Sequence, residues 1–143
     1  MVLNLQHEFT YVERPLLPIR LRVVNGLRSV NTEALLDTGA AISLLDAELA
    51  APLGALGGGN NPLDWLNVVG IGGRLQRVPI QVVLVSALGV PDRANLGAAI
   101  VFGFVPGLAK GVGNLLGRNF FDWFDFAIHH AAPSSFYLGR TLA

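Results

Sequence analysis

The sequence predicts a mostly β, single-domain protein carrying one or two short helices. Three observations lead there. The chain has 143 residues, an ordinary size for one domain, and folding at that length buries about two-thirds of the unfolded surface. Its 17 glycines and 8 prolines are spread along the whole length and divide it into short runs. Several of those runs alternate apolar with polar residues, and no long stretch repeats with helical spacing.

A strand is expected over residues 17–24, with Arg20 and Arg22 on one face and Ile19, Leu21 and Val23 on the other. Asn25-Gly26 then predicts a tight hairpin turn, because both central positions of such a turn need positive φ. The return strand, residues 27–36, ends in an apolar run that delivers the chain into Asp37-Thr38-Gly39. Residues 42–49 move toward helical spacing. Leu45, Leu49 and Leu53 recur at that spacing, Gly54 is a natural stop, and Pro52 keeps the helix short. Gly57-Gly58-Gly59-Asn60-Asn61-Pro62 is a loop too brief to link two domains. A second hairpin follows, from residues 66–71 and 75–85 around Gly72-Gly73, in which Pro79 requires an edge or a side free of ladder bonds. A further strand is expected near residues 98–105, and one or two helical turns over 119–124. Residues 126–130 and 136–138 make a last hairpin. Residues 1–13 are read as an N-terminal segment ahead of a domain at 14–143.

Ten basic and ten acidic side chains cancel, and charged residues are only 14% of the chain, so no basic field is available for nucleic acid. With 52% apolar residues the composition is not that of a disordered tail. The closest candidate for a membrane span, residues 96–109, falls short of the roughly 18 to 20 residues required. It is also broken by Gly97, Gly103, Pro106 and Gly107, so it reads as a buried strand with its turns. No membrane span is expected in this chain. Asn4, Gln6, His7 and Glu8 stand where a signal peptide carries its apolar core, which makes a cytoplasmic protein the expectation. The absence of cysteine removes disulfides, thiolate metal sites and cysteine nucleophiles together. His129 and His130 are neighbours that a strand points to opposite faces, so they are read as surface residues and no metal site is expected. Phe120, Phe121, Trp123, Phe124 and Phe126 suit core or interface packing, and part of the apolar excess is assigned to a subunit interface.

The chemistry concentrates at Asp37-Thr38-Gly39, directly after Ala34-Leu35-Leu36. A carboxylate emerging from an apolar strand must be hydrogen-bonded, paired or protonated, because isolated burial of the ion is prohibitively costly. Threonine can add a supporting hydroxyl, and glycine lets backbone approach the acid closely. Two further blocks follow in order: Val68-Val69-Gly70-Ile71-Gly72-Gly73, and Asn114-Leu115-Leu116-Gly117-Arg118-Asn119-Phe120-Phe121.

Together the three blocks resemble the retropepsin-like aspartic proteases, the family of the retroviral proteases and their single-domain bacterial relatives. The resemblance spans roughly residues 14–138. It implies a closed, barrel-like acid-protease fold with a flap hairpin. It also implies an aspartic endopeptidase, in which water held between two carboxylates that share one proton attacks a peptide bond. By resemblance Asp37 is the catalytic carboxylate, Thr38 braces the pair across a dimer and Gly39 lies against the substrate main chain. Gly70, Ile71, Gly72 and Gly73 make the flap tip, and Leu115, Leu116, Gly117 and Arg118 are structural support. The chain holds one Asp-Thr-Gly, so an active enzyme requires a homodimer with its site on the two-fold axis. Its partners are then a polypeptide substrate and a second copy of itself, and the reaction uses no metal or organic cofactor. Retroviral members pair the arginine of the third block with an aspartate two positions beyond the active-site glycine. Ala41 stands there in this chain, so Arg118 needs another acceptor: Asp46, Asp122 or a backbone carbonyl. The alternatives are a binding or dimerisation module of the same fold with little turnover, and a half-site completed by a different chain.

Overall fold

A computed structural model describes residues 3–57, 60–69 and 73–141. The chain is mostly β, and a closed six-stranded barrel forms its centre. Strand β1 (His7–Thr10) belongs to a smaller sheet, and the barrel begins with β2 (Leu16–Val23) and β3 (Ser29–Leu36), which pair antiparallel. Strand β4 (Ser43–Asp46) runs into a single turn of 3-10 helix and then α1 (Ala50–Leu53). Strands β5 (Asp64–Val69) and β6 (Leu75–Ala87) form an antiparallel hairpin, and β7 (Gly97–Val105) returns along β6. Strand β8 (Leu115–Leu116) leads into α2 (Arg118–Phe121), followed by β9 (Phe124–His129) and β10 (Ser135–Arg140).

Around the barrel the order is β2-β3-β8-β4-β7-β6, closed by antiparallel pairing of β6 back onto β2 from Ile19↔Ala87 to Val23↔Val83. Closure removes the exposed edges that an open sheet would present. Strand β5 stays outside that ring, pairing only with the first part of β6, so the β5–β6 hairpin projects from the barrel as an arm. Pro79 sits in the arm opposite Trp65, one residue before β6 takes up its pairing with β7 at Ile80. One flank of Pro79 is therefore free of a strand partner, as its missing N–H requires.

The alternation read in β2 is the one that folds. Leu17, Ile19, Leu21 and Val23 are buried while Arg20 and Arg22 face outward. With Val83, Val85, Ile100, Phe102 and Phe104 they make one core, and it extends through Phe120 and Phe124 to Phe136 and Leu138 of the second sheet. That second sheet has the order β1-β10-β9, in which His7–Thr10 of the N-terminal segment pair with Ser135–Leu138. The aromatic run joins the two layers: Phe120 packs on Phe124 at 4.7 Å between ring centroids and Phe121 on Phe126 at 4.3 Å. Trp123 remains partly exposed, with the Arg140 guanidinium over its ring. Among the described residues, no helix is long and apolar enough to cross a membrane.

Two local expectations change. The Asn25-Gly26 turn is not a two-residue hairpin loop, because β2 ends at Val23 and β3 begins at Ser29. Asn25 alone of the pair takes positive φ, and the Gly26 amide donates to the carbonyl of Val23. Residues 42–49 are not one short helix. Ser43–Asp46 is a strand paired in parallel with β7, and helical geometry starts only at Ala47. Burial on β7 and β8 outweighs the weak local preference of Leu44 and Leu45. Gly54 does end the helix, at φ 66°. Leu115 and Leu116, too few to show any period, form the strand that wedges between β3 and β4.

Candidate active site

Asp37 stands at the end of β3, where the chain leaves the barrel wall. Its backbone N–H donates to the carbonyl of Leu116 at 2.9 Å, extending the parallel pairing of β3 with β8 by one bond. The next three residues form a tight turn. The Gly39 N–H donates to Asp37 Oδ1 at 2.9 Å, and the Ala40 N–H to the Asp37 carbonyl at 3.3 Å. A Cβ on residue 39 would lie 3.1 Å from Asp37 Oδ1, so glycine here lets an amide reach the carboxylate unobstructed. Asp37 is half-buried, while Thr38 and Gly39 are exposed at the tip.

The third block holds this turn from below. The Arg118 N–H donates to the Ala40 carbonyl at 2.8 Å and its Nη1 to the Thr38 carbonyl at 3.3 Å. Of the three acceptors considered for Arg118, a backbone carbonyl is therefore the one used, and it belongs to the Asp-Thr-Gly turn itself. The side chain is exposed, so its charge keeps its solvation. Gly117 lies so close to the turn that a Cβ there would meet the carbonyl oxygens of Ile42 at 2.5 Å and Ala40 at 2.7 Å. Beneath, Ser43 is fully buried: its hydroxyl accepts from the Gly117 N–H and donates to Asn119 Oδ1 at 2.7 Å. Asn119 Oδ1 also accepts from the Ser43 N–H, and Asn119 Nδ2 donates to the Val101 carbonyl at 2.8 Å. One amide side chain thus ties β4, β7 and α2 together under the turn.

Ser43 has no part in the site expected from the sequence, and Asn119 enters it only within the third block. The available signal is a lone serine inside Ile42-Ser43-Leu44-Leu45, since a hydroxyl in an apolar strand must find partners. Replacing Asn119 by alanine leaves the buried Ser43 groups without their acceptor, at a cost of about 2–3 kcal/mol. The expected result is a lower urea midpoint at unchanged slope.

Asp37 opens onto a cleft of about 780 Å³. Leu35, Leu44 and Leu115 make its floor, and Val68, Val69 and Gln76 of the β5–β6 arm line the side above. The loop after β7, through Pro106, Leu108 and Val112, forms a further wall. Apart from Asp37, no ionisable group lines this cleft among the described residues. Two other depressions lie on the outer barrel wall around Arg20 and share no residue with it.

The structure thus brings together Asp37, Thr38, Gly39, Leu115, Leu116, Gly117 and Arg118 of the expected site. Gly73 closes the arm with φ 74°, whereas Gly70, Ile71 and Gly72 lie outside the described residues. His129 is exposed, and His130 Nδ1 is 2.8 Å from the Tyr11 hydroxyl. Among the described residues, no three metal-ligating side chains cluster. Comparison of the chain with protein-family models gives no match, and comparison with curated proteins gives none either.

Proposed function

We propose that this chain is a retropepsin-like aspartic endopeptidase, active as a homodimer in which two Asp37 carboxylates hold the attacking water. The observation that carries this reading is the Asp37-Thr38-Gly39 turn at the base of a cleft roofed by the β5–β6 arm. An exposed Thr38 beside Asp37 is accessible to a second copy, and among the described residues the cleft contains no other carboxylate. A two-fold axis through the turn supplies the missing one. Of the paired carboxylates, the ionised member takes the proton of water as it attacks the scissile carbonyl, and the protonated member donates to the carbonyl oxygen. Collapse of the tetrahedral intermediate returns the proton to the leaving amine. Apolar walls keep bulk water from the pair and strengthen its hydrogen bonds. The β5–β6 arm, two of whose valines line the cleft, closes over an extended peptide.

Because the pair must carry one proton, cleavage of a mixed peptide library should fall on both sides of a mildly acidic optimum. Loss at low pH reports protonation of both acids, and loss at high pH ionisation of both. A rate constant from pH 4 to pH 9 would contradict a shared proton.

A further inference from the structure

Among the described residues, Asp46 is one of three buried polar side chains, at 5% exposure, and the chemistry above makes no use of it. Its Oδ1 accepts from the Glu48 N–H at 2.9 Å, the ordinary cap of the helical turn that follows β4. A cap accounts for one oxygen only. Oδ2 accepts from the Ala109 N–H at 2.6 Å, across 63 residues of sequence. The Asp46 backbone N–H donates to Asn114 Oδ1, and Asn114 Nδ2 donates to the Glu33 carbonyl.

These contacts surround one segment. Residues 106–113 leave β7 beside Asp46, which pairs with Val105, and return to the barrel at Asn114. Between those points the segment has one short 3-10 turn, with Gly107 and Gly113 at φ 74° and 80°. Its apolar side chains Pro106, Leu108 and Val112 face the cleft that Asp37 enters. We propose that Asp46 is a positioning residue for the cleft: its carboxylate holds the wall formed by residues 106–113 at the distance from Asp37 that an extended peptide requires. This rests on the reading of the cleft as a peptide site.

The chemistry requires a carboxylate. Both carboxyl oxygens accept amide N–H groups, from Glu48 and from Ala109, which an asparagine side chain with its single oxygen cannot reproduce. Asparagine has the same shape but turns an NH2 toward one of the two donors, so Asp46→Asn removes one bond without opening a cavity. Hydrogen bonds to a charged group are worth more than about 1.4 kcal/mol, which is tenfold in an equilibrium.

Amide hydrogen exchange and peptide cleavage test this together. Ala109 is itself exposed, so protection of its amide in the wild-type protein, expected at about 100-fold or more, reports the Asp46 bond directly. In Asp46→Asn that protection should drop by about tenfold or more while the barrel amides of Val83 and Phe102 keep theirs. KM for a library-derived peptide should rise about tenfold, with kcat within about twofold of wild type. An unprotected wild-type Ala109 amide would overturn the proposal even where the variant fails to fold. So would unchanged exchange in a folded Asp46→Asn, or a fall in kcat at constant KM. Exchange that behaves as expected in a protein that cleaves no peptide would uphold the clamp and remove the protease reading instead.

Discussion

Asp37→Asn is expected to reduce kcat/KM for peptide cleavage by at least about 10³-fold. Asparagine keeps the volume and the acceptor for the Gly39 N–H, so the turn survives. What disappears is the titration: neither copy can take the proton of water or return one to the leaving amine. Asp37 is half-buried and, among the described residues, its side chain bonds only within its own turn, so the melting temperature should stay within about 3 °C of wild type. Cleavage assays on the wild type and the variant, purified side by side and matched for thermal stability, give the answer. Undiminished turnover by a clean variant would remove Asp37 from the mechanism.

Gly117→Ala is expected to be the most damaging small substitution, costing about 3 kcal/mol of stability and most of the activity. The argument is geometric. The added methyl would meet two backbone oxygens, those of Ile42 and Ala40, and backbone cannot swing aside as a flexible side chain can. Relief requires α2 to move off the turn, which breaks the Arg118 N–H bond to Ala40 and the Gly117 N–H bond to Ser43. Both stability and the position of Asp37 then suffer from one carbon atom. A denaturation midpoint lowered in proportion, with reduced kcat in the protein that remains folded, is the expected outcome. By contrast Gly54→Ala meets no atoms within 4 Å, and its cost is confined to the strain of φ 66° in the left-handed region.

These two residues also mark how much could be read from the chain alone. Alternation exposed β2 because one face of that strand is core and the other solvent, so every second residue carries information. The Asp-Thr-Gly turn and the Gly117-Arg118-Asn119 block were visible as motifs, since each places unusual residue types in sequence. What joins them was not. Ser43 and Asn119 are 76 residues apart, Asp46 and Ala109 are 63 apart, and such bonds leave no periodic trace in either partner. For the same reason residues 42–49 read as helix. Leu45, Leu49 and Leu53 keep helical spacing locally, while the parallel pairing that makes Ser43–Asp46 a strand comes from β7, more than 50 residues downstream. The hairpin at Asn25 was located correctly, but its loop length depends on where β2 and β3 stop pairing, which barrel closure onto β6 decides.

The central claim is that one active site needs Asp37 from two copies, and mixed dimers test it most directly. Wild type and Asp37→Asn are unfolded together, refolded in varied proportions and assayed on one peptide at fixed total protein. Random assembly makes every mixed dimer inactive, so activity should follow the square of the wild-type fraction and fall to about one quarter at an equal mixture. Activity proportional to the wild-type fraction, about one half at that point, would mean that a single chain carries a complete site and would contradict the account.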